Sequence, residues 1–214
     1  MDIGKWYTRT GQEIIDYWQT DQYEGLNSKE IHNRLHKFGY NEMIEKEKIT
    51  WWKRLIAQFQ DFMVLVLLAA TLISAFLGEY ADAVTILIIV IVNATLGFVQ
   101  EYRAEQSMNA LKKMAAPTAH VIRNGMLQKI AARELVPGDI MMLESGDKIA
   151  ADARLLETQN METQEAALTG ESLPVRKAAD KQCREESALG DRKNMVYAGT
   201  AIAKGRGKSI VCAT

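Results

Sequence analysis

Two uncharged stretches interrupt an otherwise mixed pattern of apolar and polar positions. Residues 62–77 (FMVLVLLAATLISAFL) and 83–99 (AVTILIIVIVNATLGFV) contain no Asp, Glu, Lys or Arg, and only GEYAD separates them. Each is slightly shorter than the roughly 20 apolar residues that cross a bilayer. Trp51, Trp52 and Tyr80 extend the runs with rings suited to the headgroup region. The pattern predicts two membrane helices joined by a tight turn. The competing reading is a helical hairpin buried in a soluble core, which two such long uncharged runs disfavour. Lys46, Lys48, Lys53 and Arg54 precede the first run, and Arg103, Lys112 and Lys113 follow the second. The turn carries Glu79 and Asp82 and no Lys or Arg. Positive charge gathers on the cytoplasmic side of a span, so both flanks are expected there.

On either side of these runs the periodicity differs. Residues 1–48 are polar and helical in character. Asn27 followed by Glu30 matches a capping box ahead of Ile31, Leu35 and Phe38, with Gly39 as a stop. His32 and His36 lie one turn apart, but no third ligand accompanies them, and a solvated face is the simpler account. Residues 100–114 lack Gly and Pro and hold good helix formers, with a narrow apolar stripe at Tyr102, Met108, Leu111 and Met114. The second membrane helix is therefore expected to continue as a cytosolic stalk until Pro117 ends it. From residue 118 the period becomes that of strands. Segments 119–122 and 126–130 flank Asn124-Gly125, a hairpin signal. Further strands are expected at 140–143, 153–157, 195–197 and 209–212, with turns at Pro137-Gly138-Asp139 and Ser145-Gly146-Asp147 and a charged surface loop at 178–192. Short strands with close turns predict a compact sandwich or jelly-roll-like unit. The fold class expected is α+β in a membrane protein: N-terminal helices over 1–48, a two-helix transmembrane hairpin with its stalk over 49–116, and a β-rich domain over 117–214.

Composition adds few constraints. The chain is 48% hydrophobic and 25% charged with a net charge of −1, so nothing global points to nucleic acid. Cys183 and Cys212 form no CxxC and have no nearby histidine, which argues against a zinc site or disulfide framework and for a reducing compartment. The first 22 residues lack a basic stretch followed by an apolar one, so no cleaved signal peptide is read. Asn93 suits a hydrogen bond to another membrane helix, and Asp82 suits the far headgroup level; neither is assigned to ion binding. The candidate chemistry lies in Thr169-Gly170-Glu171-Ser172. Gly170 allows close backbone approach to a ligand. Thr169 and Ser172 offer hydroxyls, and the Glu171 carboxylate can orient and deprotonate a water. Taken alone, these four residues are also compatible with an ordinary solvated loop.

Several segments carry a resemblance in order and spacing: Leu168 to Ser172 (LTGES) with Pro174-Val175, Leu135 to Ile140 (LVPGDI), Gly146-Asp147-Lys148 with Ala151-Asp152, and Asn194 to Thr200 (NMVYAGT). They resemble the actuator domain of P-type cation-transporting ATPases. Val92-Asn93-Ala94, Gln100-Glu101, Gly25-Leu26, Arg34-Leu35 and Gly39-Tyr40-Asn41 look like the calcium-pump branch of that family. The sequence departs from the family pattern at Gln164 and Ala166, where an aspartate and a serine are usual, and at Ala150, usually proline. At the first span only Asp61, beside Gln60, stands where an acidic pair is common. The resemblance implies that Glu171 directs water at an aspartyl-phosphate formed elsewhere in a longer protein, with Thr169, Gly170 and Ser172 supporting the loop. It implies ATP and Mg2+ for the full-length pump, and no cofactor or metal site in this segment. Partners implied are the lipid bilayer, the pump's remaining domains and a transported cation, Ca2+ first, with Na+, H+, Mg2+ or Mn2+ as alternatives. The chain contains no DKTG phosphorylation site, so the segment alone is expected to be inactive. It is expected to be multi-pass with both termini cytoplasmic, in the plasma membrane if bacterial. The alternative is a two-span membrane protein whose β-rich domain binds and regulates a pump.

Overall fold

The computed structural model describes residues 4–42, 52, 62–114 and 117–214. Lys46, Lys48, Lys53, Arg54, Trp51, Gln60 and Asp61 lie outside the described residues. The chain divides into two compact units, Ile44–Ala115 and the combination of Met1–Met43 with Ala116–Thr214.

The helical unit contains α3 (Phe62–Phe76) and α4 (Tyr80–Met114), while α1 (Gly11–Trp18) and α2 (Ser28–Phe38) belong to the other unit. A short turn joins α3 to α4, closed by hydrogen bonds from the Leu77, Gly78 and Glu79 amides to the carbonyls of Ile73, Ala75 and Ser74. The two helices are in contact. Small or branched side chains are the buried ones: Val64 on α3, with Ala83, Val90 and Ala94 on α4. Small residues let helix backbones approach closely. The large side chains face outward, with Phe76 92% and Phe62 78% exposed. Thr71, Thr85 and Thr95 donate their hydroxyls to carbonyls one turn back, so these polar groups are satisfied within their own helices. Tyr80–Met108 is long and apolar enough to cross a membrane, whereas α3 is apolar but shorter. As the absence of Gly and Pro predicts, α4 runs unbroken through the expected stalk to Met114.

The other unit is built on seven strands: β1 (Thr118–Arg123), β2 (Met126–Ala131), β3 (Ile140–Glu144), β4 (Asp152–Gln164), β5 (Val175–Arg176), β6 (Met195–Val196) and β7 (Ala201–Ala213). Hydrogen bonds join them in one antiparallel sheet of order β2-β1-β3-β7-β4-β5, with β6 also pairing β4. The hairpin turn at Asn124 and Gly125 takes positive φ at both residues, 51° and 71°, as a twist-matched two-residue loop requires. The long strands depart from expectation. Strands β4 and β7 each run 13 residues, where short apolar segments at 153–157 and 209–212 were expected. The two strands pair along their whole length, polar halves included, through several register shifts, from Asp152 opposite Ala213 to Gln164 opposite Ala201. Alternation sends Met141, Leu143, Ala153, Leu155 and Val211 into one apolar cluster. Ile140, Ile210 and Cys212 point into a second.

The N-terminal segment completes that second cluster. A 3-10 turn (Trp6–Thr8) precedes α1 (Gly11–Trp18), which starts at a Thr10–Glu13 capping box. Trp6, Tyr7, Ile14 and Ile15 are buried against Ile140, Ile210 and Tyr197. Helix α2 (Ser28–Phe38) begins at the expected Asn27–Glu30 capping box, and Gly39 ends it at φ 81°. Its apolar residues bury little, with Phe38 41% exposed. Arg34 instead ties it down, donating to the carbonyls of Pro137, at 2.6 Å, and Trp18. Asn41 donates its amide to Arg133 O at 2.8 Å, and its side chain to Ala132 O and Ala150 O at 3.0 and 2.8 Å. His32 and His36 are exposed, with ring centroids 4.5 Å apart.

Loop 178–192 is less free than its charge pattern suggests. The Tyr7 carbonyl accepts from the Cys183 amide at 3.3 Å and from Asn194 Nδ2 at 2.8 Å. The Arg192 guanidinium lies 3.9 Å from the centre of the Tyr7 ring. Arg154, 2% exposed, donates to the carbonyls of Arg9, Leu155, Ala179 and Asn194. Burial lowers its pKa. The turn from Pro137 to Asp139 rests on a second buried cation. Asp139, fully buried, receives Arg123 Nε and Nη2 at 2.9 and 2.7 Å and the Val136 amide at 2.9 Å.

Candidate active site

Strand β4 ends at Gln164, and the chain makes an excursion before returning as β5. The inward side of this strand end reads Met161, Thr163 and Glu165, all buried, while Gln164 faces out. Thr163 lies opposite Val175, and the Lys177 amide donates to Met161 O at 2.9 Å, so Lys177 falls on the same inward side. Its ammonium sits 2.5 Å from Glu165 Oε1, and both side chains are 0% exposed. Thr163 Oγ1 donates to the same carboxylate oxygen at 2.9 Å. Burial lowers the Lys177 pKa, and the Glu165 carboxylate opposes that shift. Lys177 Nζ also lies 5.8 Å from the centre of the Tyr197 ring, whose phenol burial pushes up to about 12.

Above this pair the chain forms α5, a four-residue helical turn (Ala166–Thr169), where the sequence predicts only a turn. The Glu165 carbonyl accepts from the Leu168 and Thr169 amides at 2.9 and 3.0 Å and from Thr169 Oγ1 at 3.2 Å. Gly170 follows at φ 77°, a left-handed conformation that glycine adopts without steric cost. A Cβ at Gly170 would meet nothing within 4 Å, so open space faces this backbone. The Glu171 amide returns to Thr169 Oγ1 at 3.3 Å. Glu171, Ser172 and Leu173 are exposed, Leu173 at 79%. On one side the loop meets the 3-10 turn Leu189–Asp191: a Cβ at Gly190 would lie 3.4 Å from Thr169 Cγ2.

The four residues singled out by sequence therefore run on from α5, with Thr169 half-buried at its end and Gly170, Glu171 and Ser172 exposed beyond it. A carboxylate held in open space, beside a backbone without a Cβ, can meet a bulky anionic group brought to it from outside. Glu165 and Lys177 were missed. Two charged residues flanking a polar motif read as solvated, and only the β4–β5 register brings them together inside. Of the positions that depart from the family pattern, Ala166 opens α5 and Ala150 supplies a carbonyl to Asn41. Among the described residues no group of three or more His, Cys, Asp or Glu side chains is placed to hold a metal ion.

Residues 113–214 match the P-type ATPase actuator domain, and residues 6–74 match the cation transporter/ATPase N-terminus. A calcium-transporting ATPase of Bacillus subtilis (strain 168) is 50% identical over 202 residues, covering 94% of this chain and 23% of that protein. Calcium-transporting ATPase 1 of Bacillus cereus (strain ATCC 10987 / NRS 248) is 44% identical over 216 residues, 99% of this chain and 24% of the relative. Sodium/potassium exporting P-type ATPase 1 of Saccharomyces cerevisiae (strain ATCC 204508 / S288c) is 39% identical over 215 residues, 100% of this chain and 20% of the relative. The chain thus spans about a quarter or less of the length of these relatives.

Proposed function

Since the chain belongs to the P-type cation-transporting ATPase family, we propose that it forms the N-terminal part of an ATP-driven cation pump. In this reading residues 1–48 are a cytosolic segment, 49–116 a two-helix transmembrane hairpin with its stalk, and 117–214 the actuator domain. The outward-facing apolar side chains of α3 and α4 support a bilayer around them. Both flanks are placed on the cytoplasmic side by the charge asymmetry of the sequence. The remaining domains of the same pump are its partners.

The actuator's task is hydrolysis of an aspartyl-phosphate, the covalent intermediate of such pumps. Glu171 takes a proton from water while the water oxygen attacks phosphorus. The bond from phosphorus to the aspartate oxygen breaks, releasing inorganic phosphate and a free carboxylate. Thr169, Gly170 and Ser172 shape the approach. The acceptor aspartate is not assigned to this chain, which contains no DKTG, so the segment alone is expected to lack ATP turnover. ATP and Mg2+ belong to the full-length pump. The described residues offer no cluster suited to Mg2+, and no step here is assigned to it. Calcium is the favoured cargo, because the two Bacillus relatives named for it share 44 and 50% identity over nearly all of this chain. A monovalent cation is the second reading, supported by the 39% identity of the yeast sodium/potassium exporter.

The observation that carries the reading is the Gly170 turn, which presents Glu171 in open space from a buried base. In the full-length pump, Glu171→Gln is expected to slow phosphoenzyme decay by about 10²–10⁴-fold, the usual contribution of a positioned acid–base group. Phosphoenzyme that decays at the wild-type rate in this variant removes Glu171 from the reaction.

A further inference from the structure

We propose that the buried Glu165–Lys177 ion pair is the positioning device for Glu171, an inference that rests on the hydrolytic role given to Glu171 above. Two observations carry it. The first is a continuous chain of contacts from the core to the exposed loop. Lys177 holds the Glu165 carboxylate, and the Glu165 carbonyl holds the Leu168 and Thr169 amides. The Thr169 hydroxyl donates to that carbonyl and accepts from the Glu171 amide. One hydroxyl thus connects the anchored residue to the reacting one. The second observation is topological. Glu165 and Lys177 stand at the two ends of the excursion 166–176, so the ion pair closes its base from both sides.

The pair is not the cheapest way to fill this space. Two charges taken out of water lose hydration that their mutual attraction only partly restores, and apolar residues of similar volume are often as stable or more so. Neither Glu165 Oε2 nor Lys177 Nζ has a hydrogen-bond partner among the described residues, so the carboxylate is held at Oε1 alone, by the hydrogen bond from Thr163 and the close ion contact with Lys177. What ionic and hydrogen-bonded contacts add over an apolar plug is a fixed geometry. Reactions of this kind are sensitive to it, since a displacement of about 1 Å can cost about 10²-fold in rate. Glu165 and Lys177 touch no reacting atom; they act through Thr169 and the Glu171 backbone.

The test uses the full-length pump carrying Glu165→Gln with Lys177→Met, which removes both charges at similar volume and strands neither. Phosphoenzyme formation from ATP, apparent ion affinity and phosphoenzyme decay are measured separately. Decay is expected to slow by about 10–100-fold, with formation and ion affinity within about twofold of wild type. Lys177→Arg, which keeps the cation, is expected to decay faster than Lys177→Met. Decay at the wild-type rate in the double variant overturns the proposal. So does equal slowing of every step, or failure of the neutral pair to fold, since either assigns the pair to stability alone. Glu171→Gln run in parallel separates the two readings. If it slows decay while the double variant does not, only the positioning role falls. If it also decays normally, the hydrolytic role of Glu171 falls with it.

Discussion

Loss of the Asp139 carboxylate should be among the most damaging single changes to the β-rich unit. Asp139 is fully buried and answers three donors at once: Arg123 Nε at 2.9 Å, Arg123 Nη2 at 2.7 Å and the Val136 amide at 2.9 Å. Arg123 is itself 6% exposed and has one further acceptor, Glu134 O at 2.9 Å. Asp139→Ala therefore strands a buried guanidinium and an amide together. Breaking a buried ion pair from one side costs about 3–5 kcal/mol. An unsatisfied buried amide costs about 1–3 kcal/mol, though the two do not simply add because the turn can shift to admit water. We expect a loss of about 4 kcal/mol, a large share of the roughly 5–15 kcal/mol that stabilises an ordinary domain. Asp139→Asn keeps an acceptor for Val136 and should lose less. Arg123→Met with Asp139→Asn leaves no buried charge and should be more stable than Asp139→Ala. The assay is urea unfolding followed by fluorescence of the neighbouring Trp6 and Trp18, with Trp51 and Trp52 replaced by Phe. For an m value of about 1–3 kcal/mol per molar, the midpoint should fall by more than about 1 M. A loss under about 1 kcal/mol for Asp139→Ala, or a double variant less stable than that single change, would refute the reasoning.

Ile14, fully buried beside Trp6, Ile140 and Ile210, fastens the N-terminal segment to the sheet; Ile14→Ala is expected to cost about 2–5 kcal/mol. Hydrogen exchange should show the amides of α1 losing protection, and unchanged protection there would contradict the packing described. Alkaline pH should also weaken the unit. Burial pushes Cys212 from 9.0 up to about 12 and Tyr197 from 10.0 up to about 12. Between these limits the unfolded chain has lost protons that the folded chain keeps, so stability is full below pH 9 and falls as pH rises toward about 12. The slope is about 1.4 kcal/mol per pH unit for each group. Lys177, whose pKa burial lowers, opposes part of this by losing its proton first in the folded chain. Cys212→Ala should flatten the decline at its onset, and an unaltered pH profile in that variant would count against the buried thiol as its cause.

How much of this was legible beforehand depended on distance along the chain. The Asn27–Glu30 cap, the Asn124-Gly125 hairpin and the unbroken α4 are decided within a few residues, by hydrogen bonds and backbone preferences that the local residue types already contain. The Thr10–Glu13 box before Ile14 and Ile15 carried the same kind of signal and would have located α1. The polar halves of β4 and β7 gave no such warning. Gln159, Lys204 and Arg206 belong to strands because those strands pair with each other, and pairing between residues some 40 to 50 positions apart leaves no period in either one. The functional loop divides along the same line. Sequence alone singled out Thr169, Gly170, Glu171 and Ser172, since their types and order suffice for the chemistry. What lies beneath them was decided by tertiary structure. Glu165 and Lys177 have the composition of a solvated surface, and only the register of β5 against β4, closed over an apolar cluster, removes both from water and leaves each as the other's partner. Local rules set which groups a chain offers; the pairing of distant strands sets which of them are buried, and burial gives a charge its partner.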